Sequence, residues 1–315
     1  MSRKISPNRI LMTGLIALVF IGLVLVTEYA DRVYSAILLC IIIGICVLET
    51  RYAMGEKIPQ QFDVLIWVYA ILFGIPYFLF GYVGIVLFTL LIFIIGVTIA
   101  VMNNHNQGVL QNFAFILIYP ALLLSTLFYI NRSAASFREI TPQIQRLIDE
   151  GLVEYSLRGE LLLPFNTVGL ALVFAVSCFS DMFALLVGTF FGKRKLAPDI
   201  SPNKTVEGAI GGVAGGIIGA ALVFLLFEGL PLMGFQLFRA GLPVNTAYKI
   251  LDYCLIGFFG SLCTQVGDLL ASWVKRECGI KDYSRLLGSH GGFMDRFDGI
   301  MLNSVFVSVI YLFIL

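Results

Sequence analysis

The sequence predicts an all-α, polytopic membrane protein with about nine transmembrane helices. Of its 315 residues, 59% are hydrophobic and only 13% are charged, whereas soluble proteins carry charge on about 25% of their residues. The mean hydropathy is +0.92. Apolar runs recur along the chain at lengths close to the roughly 20 residues that cross ~30 Å of hydrocarbon. These observations exclude most soluble folds.

Nine apolar stretches are long enough, or nearly long enough, to span a bilayer. They are Ile10–Val26, Val33–Leu48, Val64–Phe80, Tyr82–Met102, Val109–Ile130, Thr167–Val187, Val206–Phe227, Ile250–Val274 and Phe297–Leu315. The second is short, which leaves a merged or re-entrant hairpin open there. The first resembles a signal peptide, but its apolar core is longer than the usual 7 to about 15 residues and no small-x-small cleavage site precedes Glu28. We therefore expect it to be retained.

Positive charge is unevenly distributed between the two sides of the predicted membrane. The side of the N-terminus holds 14 of the 21 Lys and Arg residues and the other side holds 7. The positive-inside rule therefore predicts a cytoplasmic N-terminus and an external C-terminus. The two most basic loops, 188–205 and 275–296, share the cytoplasmic side. A net charge of +1 lacks the basic excess of most nucleic-acid-binding proteins.

Two regions follow from this topology. Residues 1–165 form an N-terminal membrane region of about five spans plus a surface helix at 141–151, which begins at Thr141 and ends before Gly151. Residues 166–315 form a C-terminal region of about four spans with the two basic loops. The seventh span carries a doubled ladder of small residues, which favours close helix packing. The ladder consists of Gly208, Gly212 and Gly216 and of Gly211, Gly215 and Gly219.

Two acidic residues lie inside predicted spans, where a charge costs at least ~2.5 kcal/mol and indicates function. Asp268 shares one helical face with Thr264, Ser272 and Lys275. This face predicts a polar cleft that opens toward the basic side. Asp181 in the sixth span could face the same cleft, or be a protonated carboxyl satisfied by neighbouring hydroxyl groups.

Charge is concentrated around the end of the eighth span. The 31 residues from Asp268 to Asp298 contain ten charged residues and His290. Cations and carboxylates together indicate a metal-bound polyphosphate, because Mg²⁺ binds one or two protein carboxylates plus phosphate oxygens. If the ninth helix starts here, Asp295 and Asp298 point the same way. Gly291 and Gly292 would let the backbone approach phosphates.

Loop 188–205 adds further candidate anion ligands. Ser201 followed by Pro202 predicts an N-cap and first helical position, whose free N–H groups could receive an anion. Lys204 and Ser201 are the better candidates for chemistry. Lys193, Arg194 and Lys195 are as readily explained as a membrane anchor.

Thirteen of these residues occur at a characteristic spacing over 27 residues. They are Ser272, Lys275, Arg276, Lys281, Asp282, Ser284, Leu287, His290, Gly291, Gly292, Asp295, Arg296 and Asp298. This pattern resembles the signature of the phosphatidate cytidylyltransferases, also called CDP-diacylglycerol synthases. The resemblance extends upstream to Asp181 and through Ser201, Lys204 and Thr205, so it covers about the C-terminal 40% of the chain.

The resemblance implies a nucleotidyltransferase that uses CTP and phosphatidic acid, embedded among membrane lipids of the cell membrane. The expected location is a bacterial inner membrane, with the active site facing the cytoplasm. It implies Asp268, Asp295, Lys275 and Arg276 as catalytic residues. Asp268, Asp295 and Asp298 are the expected ligands of Mg²⁺, with a second cation left open. The expected substrate-binding residues are Ser201, Lys204, Thr205, Ser272, Lys281, Arg285, His290, Gly291, Gly292 and Arg296.

Several alternatives stay open. His290 could instead brace its own loop, and the chain could be a monomer or a homodimer. A related CTP-dependent membrane enzyme with another acceptor, a CDP-archaeol synthase or a polyprenol kinase, would use similar chemistry. In a different class, a transporter could use Asp181 and Asp268 as an ion path. That reading leaves the cluster from Lys275 to Asp298 unexplained, and two matching inverted halves are not evident.

Overall fold

Helices dominate the computed structural model, which describes residues 21–27, 32–131, 154–155, 161–162, 165–230, 249–287 and 291–314. The helices in these ranges are α1 (21–27), α2 (Arg32–Met54), α3 (Asp63–Leu72), α4 (Gly74–Met102), α5 (Gln107–Ile116), α6 (Leu123–Ile130), α7 (Phe165–Phe191), α8 (Val206–Phe224), α9 (Lys249–Glu277) and α10 (Met294–Ile314). Short 3-10 turns cover Gly55–Lys57 and Gln60–Phe62, and π-helical turns cover Leu117–Leu122 and Leu225–Gly229. The predicted surface helix at 141–151 lies outside the described residues.

Four short strands form two antiparallel pairs. Strand β1 (Glu154–Tyr155) pairs with β2 (Leu161–Leu162), with Glu154 opposite Leu162. Strand β3 (Lys195–Ala197) pairs with β4 (Ser201–Thr205) and forms a hairpin with an irregular register between Lys195 and Ala197. This second hairpin occupies the basic loop between α7 and α8.

The helices confirm a multi-pass, all-α membrane protein. Six segments in the described residues are long and apolar enough to cross a membrane. They are Val33–Lys57, Gly74–Met102, Gln107–Ile130, Thr167–Phe191, Val206–Gly229 and Lys249–Glu277. Many large apolar side chains on these helices are exposed, which suits a surface bathed in lipid. The predicted number of nine is not confirmed.

The second predicted span is longer than the sequence indicated. Helix α2 has 23 residues and continues to Met54, six residues beyond the predicted end at Leu48. The extension includes the charged residues Glu49 and Arg51, both of which are buried against protein. Arg51 is paired with Asp63 at 2.6 Å. A re-entrant hairpin is therefore not needed in this segment.

The third and fourth predicted spans meet at Gly81, as the sequence indicated. Gly81 has φ +65° and ψ −151°, a backbone conformation that interrupts α4 and that glycine adopts most easily. The Tyr69 hydroxyl on α3 lies 2.9 Å from the Thr89 hydroxyl on α4, which shows that the chain doubles back between these residues. Within the third predicted span, α3 ends at Leu72 and α4 starts at Gly74, and Phe73 between them keeps helical backbone angles of φ −51° and ψ −35°.

The glycine ladder packs α8 between α7 and α9. All six predicted glycines are buried. A Cβ added to Gly219 would lie 2.7 Å from the carbonyl oxygen of Ala175 on α7, and one added to Gly216 would lie 2.7 Å from that of Gly257 on α9. Only glycine allows this close approach. The predicted packing role is therefore confirmed, and it brings α7 and α9 against neighbouring faces of α8, where α7 and α9 also contact each other.

Polar contacts join α10 to the helices around it. The Asn303 side-chain amide donates to the Val173 carbonyl and to the Ser177 hydroxyl, both at 3.0 Å. The Ser177 hydroxyl also lies 3.1 Å from that of Thr264 on α9. On another face, the hydroxyl groups of Thr126 on α6 and Ser304 are 2.9 Å apart. The Thr126–Ser304 contact joins residues on either side of position 165, so helices of the two predicted regions pack directly together.

Replacement of Gly219 by leucine should strongly destabilise the protein. The new side chain meets the α7 backbone, and overpacking of this kind typically costs about 1–3 kcal/mol. Ala214→Leu is the matched control, because Ala214 lies on the same helix and is exposed. Thermal unfolding in detergent should show a lower Tm for Gly219→Leu alone. Equal Tm values for the two variants would contradict the packing assignment.

Candidate active site

Polar groups from five elements meet near the C-terminal end of α9. The contributing elements are α7, the β3–β4 hairpin, α9, residues 278–287 and 291–293 between α9 and α10, and the first turns of α10. We call Lys204, Asp268, Lys275, Asp295 and Asp298 the ion-pair cluster. It lies at the end of the bundle where Lys57, just after α2, donates to the Glu277 carbonyl at 2.6 Å. Loops predicted to share one side of the membrane therefore do lie together.

The polar face predicted for α9 points into the protein. Thr264 is fully buried and contacts Ser177 on α7. One turn later, Asp268 forms an ion pair with Lys204 of β4 at 2.7 Å. Two turns beyond that, Lys275 forms an ion pair with Asp295 of α10 at 2.8 Å. One helical face therefore joins three neighbouring elements, and Ser272 lies half-buried on it.

The start of α8 differs from the prediction. Ser201 and Pro202 were predicted as N-cap and first helical residue, but both lie in strand β4. The helix begins at Val206, and the Thr205 hydroxyl caps it by accepting from the Gly208 N–H at 3.1 Å. Threonine supplies the same capping oxygen as serine. The N–H groups predicted to receive an anion at Ser201 are therefore not those of a helix terminus.

The hairpin that carries Lys204 is fixed from two sides. The Glu207 carboxylate accepts from the backbone N–H groups of Lys193 and Arg194 at 3.0 and 3.2 Å. The Arg276 guanidinium donates to the Ile200 carbonyl at 3.3 Å and to the Ile280 carbonyl at 3.4 Å. Arg276 thus holds the hairpin and the segment after α9 together. The side chains of Lys193, Arg194 and Lys195 are exposed.

Lys275 lies between two carboxylates of α10. This helix starts at Met294, so the side chains of Asp295 and Asp298 point the same way, as predicted. The Lys275 ammonium is 2.8 Å from Asp295 and 3.9 Å from Asp298, and all three side chains are largely buried. It also lies 5.6 Å from the centre of the Tyr283 ring. Burial raises the pKa of the Tyr283 phenol, so this ring stays neutral beside the cation.

Asp295 is the most fully satisfied member of the ion-pair cluster. Its second carboxylate oxygen accepts from the backbone N–H groups of Tyr283 and Gly292, both at 2.9 Å. Gly291 adopts φ +80°, and a Cβ there would lie 2.6 Å from the Asp295 carboxylate. The two glycines were predicted to approach phosphates. In this structure they instead allow the backbone to approach carboxylates of the protein.

Glu49 is a site residue that the sequence analysis missed. It lies on α2, is only 5% exposed, and its carboxylate contacts the start of α10. It accepts from the Ser284 hydroxyl at 2.6 Å and from the Met294 N–H at 2.7 Å. An acidic residue at the end of an apolar run was the only available signal.

Asp181 belongs to the same electrostatic environment. The charges of Asp268 and Asp298 act on it, as do those of Lys204 and Arg296. Asp181 is exposed at the surface of α7, and the Asp268 side chain is 32% exposed. The Asp298 side chain is 10% exposed. Acidic residues of α7, α9 and α10 thus share one electrostatic environment, and Asp181 and Asp268 are its more exposed members.

Lys281, Arg285, Arg296 and His290 are further predicted substrate-binding residues. Lys281 and Arg285 are exposed, and neither forms a hydrogen bond or an ion pair within the described part of the chain. Arg296 is half-buried on the first turns of α10. His290 lies outside the described residues.

The carboxylates suit a metal shared with a phosphate ligand. In the ranges that the structure describes, no group of three or more His, Cys, Asp or Glu side chains is arranged to hold a metal ion by itself. Mg²⁺ needs only one or two carboxylates when phosphate oxygens and water complete its shell. In the described ranges, one Asp268 oxygen pairs with Lys204 and the other has no hydrogen-bond donor. One Asp298 oxygen accepts from the Gly299 N–H at 2.8 Å, and the other lies 3.9 Å from the Lys275 ammonium, beyond hydrogen-bonding distance, so each carboxylate keeps an oxygen for a cation. Asp295, by contrast, has both oxygens engaged.

Comparisons with known proteins identify the family. A segment of 157 residues is 38% identical to the phosphatidate cytidylyltransferase of Brucella abortus biovar 1 (strain 9-941), covering 50% of each chain. The enzyme of the same name from Aquifex aeolicus (strain VF5) is 40% identical over 125 residues, 40% of each chain. That of Bacillus subtilis (strain 168) is 39% identical over 128 residues, 41% of each chain.

These matches cover half or less of the relatives' own length. The match to the model of the cytidylyltransferase family is longer and covers residues 7–314, nearly the whole sequence. The ion-pair cluster lies within that match. The chain therefore belongs to the cytidylyltransferase family.

Proposed function

We propose that the protein is a membrane CTP:phosphatidate cytidylyltransferase. It would convert CTP and phosphatidic acid into CDP-diacylglycerol and pyrophosphate during phospholipid biosynthesis. Membership of the cytidylyltransferase family supports nucleotidyl transfer, and the names of the similar proteins support the lipid acceptor. The observation that carries the proposal is the ion-pair cluster at one end of an apolar helix bundle.

The ion-pair cluster suits substrates that bring several phosphate charges. Lys204 and Lys275 are each paired with a carboxylate, at 2.7 and 2.8 Å. Phosphate oxygens are strong acceptors for such cations. When they enter, we expect both lysines to exchange a carboxylate for a phosphate. The exchange keeps each ammonium paired in a poorly solvated site, where an unpaired charge is costly.

The chemical step needs no base from the protein. An ionised oxygen of the lipid phosphate attacks the α-phosphorus of CTP and forms the new P–O bond. The bond from the α-phosphorus to the bridging β-phosphate oxygen breaks, and its electron pair leaves with pyrophosphate. Catalysis then depends on positioning the two phosphates and stabilising the charge of the leaving group.

The residues divide into an inner and an outer set. Lys204 and Lys275 would hold the triphosphate, and Arg276 would keep the Lys204 hairpin in place through the Ile200 carbonyl. Lys281 and Arg285 are exposed and suit the lipid phosphate at the mouth of the site. Ser201, Thr205, Ser272, His290, Gly291, Gly292 and Arg296 stay predicted substrate-binding residues.

Asp268 and Asp298 are the carboxylates best suited to hold Mg²⁺. Each retains an oxygen with no donor at hydrogen-bonding distance in the described ranges, since Lys275 lies 3.9 Å from that of Asp298. A bound Mg²⁺ would supply charge neutralisation for the triphosphate and the leaving pyrophosphate. In this arrangement Asp295 orients Lys275 and the backbone at Tyr283 and Gly292, although the sequence predicted it as a ligand too. A second cation stays a prediction.

The location follows from the same proposal. The relatives are bacterial, which supports a bacterial inner membrane. The basic hairpin and the segment after α9 lie at the same end as the ion-pair cluster, which supports an active site on the cytoplasmic side. A homodimer and bound membrane lipids stay predictions from the sequence.

Labelled CTP tests the proposed reaction directly. The purified protein, incubated with α-labelled CTP, phosphatidic acid and Mg²⁺, should transfer label into the lipid extract as CDP-diacylglycerol. Archaeol phosphate serves as a competing acceptor for α-labelled CTP, and polyprenol is tested with γ-labelled CTP, because a kinase transfers the γ-phosphoryl group and leaves the α-phosphorus in CDP. Label transfer only to one of these would replace the acceptor in the proposal. Absence of labelled lipid with all acceptors, from folded protein, would contradict the function.

Replacement of either paired lysine should abolish transfer. Lys204→Met and Lys275→Met keep the length of the side chain but remove the cation for the triphosphate, so we expect turnover to fall by at least about 100-fold, as for other electrostatic contacts to a transition state. Lys249→Met is the matched control, because Lys249 pairs with Glu228 at the opposite end of α9. Normal turnover per folded molecule in Lys204→Met or Lys275→Met would contradict their assignment.

Removal of the metal or of its carboxylates should have parallel effects. A chelator should stop transfer, and added Mg²⁺ should restore it. Asp268→Asn and Asp295→Asn should each abolish transfer while the protein still inserts and purifies, the first by loss of a ligand and the second by displacement of Lys275. A raised Mg²⁺ requirement in Asp298→Asn would support its role as ligand. Near-normal turnover in Asp268→Asn would exclude the metal assignment.

A further inference from the structure

Glu49 connects the N-terminal helices to the ion-pair cluster. It lies in the last two turns of α2 and is 5% exposed. One carboxylate oxygen accepts from the Ser284 hydroxyl at 2.6 Å and from the Phe293 N–H at 3.1 Å. The other accepts from the Met294 N–H at 2.7 Å. Three donors thus converge on one buried carboxylate from another helix.

This carboxylate caps α10 from outside. The first N–H groups of a helix lack partners within the helix, and its N-terminus attracts negative charge. The residue at the usual cap position, Phe293, has no side-chain acceptor. Glu49 takes that role for Phe293 and Met294. Gly292 allows the approach, because a Cβ there would lie 2.5 Å from both Glu49 carboxylate oxygens.

The cap is linked to the ion-pair cluster by consecutive residues. The Gly292 N–H donates to Asp295, and the next two N–H groups donate to Glu49. Asp295 in turn holds the Lys275 ammonium at 2.8 Å. A shift in the first turn of α10 would therefore move Asp295, and with it Lys275. Glu49 itself forms no ion pair with Lys275 or Lys204 in the described ranges.

We propose that Glu49 is a positioning residue for the active site, supplied by the N-terminal membrane region. It fixes the start of α10, so that Asp295 holds Lys275 where the triphosphate binds. This inference rests on the proposed cytidylyl transfer for its kinetic consequence. Its structural consequence, the protection of the Phe293 and Met294 amides, does not depend on that reaction.

Glu49→Gln is the most informative variant. Glutamine keeps the shape, but in either orientation of its amide an NH₂ group faces a backbone N–H of Phe293 or Met294. Glu56→Gln is the matched control, because Glu56 follows α2 closely and is exposed. Ser284→Ala provides a milder change, since it removes one of the three donors to Glu49.

Three measurements on the purified full-length chain distinguish positioning from simple stabilisation. They are kcat and KM for CTP, Tm in detergent, and hydrogen–deuterium exchange of peptides from α8 and from residues 283–297. For Glu49→Gln we expect kcat to fall about 10- to 100-fold, as for other groups that orient active-site residues, with little change in KM. Exchange should accelerate in 283–297 and not in α8. Ser284→Ala should show a smaller fall in kcat, and Glu56→Gln none.

Two results would overturn the proposal. One is a folded Glu49→Gln protein with unchanged kcat and unchanged exchange in 283–297. The other is a fall in Tm with faster exchange in α8 as well, which shows a general structural role. If Glu49→Gln does not fold, unchanged kcat in Ser284→Ala overturns it instead. Failure of the proposed function is seen separately, as absence of labelled CDP-lipid from the wild-type protein.

Discussion

Charged side chains in an apolar bundle need partners, and the ion pairs of Lys204 and Lys275 are the constraint on which the rest of this structure depends. A carboxylate at membrane depth costs at least ~2.5 kcal/mol unless it is paired or hydrated. Lys204 reaches Asp268 only because the β3–β4 hairpin folds back over α9. Lys275 reaches Asp295 only because α10 starts beside the end of α9. The positions of hairpin and helix are thus set by charge neutralisation.

The glycines of α8 make the same arrangement sterically possible. They allow α7 and α9 to approach α8 closely from two sides, with Gly219 against α7 and Gly216 against α9. The helices that carry Asp181 and Asp268 are therefore held close to one another. The glycines set the distances between these helices. The lysines neutralise the carboxylates that this close packing brings together.

Local patterns in the sequence predicted much of this architecture. Helical periodicity placed Thr264, Asp268, Ser272 and Lys275 on one face, and the break at Gly81 was visible as a glycine between apolar runs. Features that depend on distant partners were not predictable. Glu49 follows the end of the second predicted span at Leu48. Its role was not predictable, because its partners Ser284 and Met294 lie more than 230 residues away in the sequence. Ser201–Pro202 matched a helix start as well as Thr205 did, and only the hairpin pairing decides between them.

The central claim is that Lys204 and Lys275 exchange carboxylate partners for substrate phosphates. An experimental structure with CTP, Mg²⁺ and a non-reactive phosphatidate analogue measures this exchange directly. We expect both ammonium groups to lie within hydrogen-bonding distance of phosphate oxygens, with the Lys204–Asp268 separation increased from 2.7 Å. Phosphates bound elsewhere, with both ion pairs intact, would contradict it.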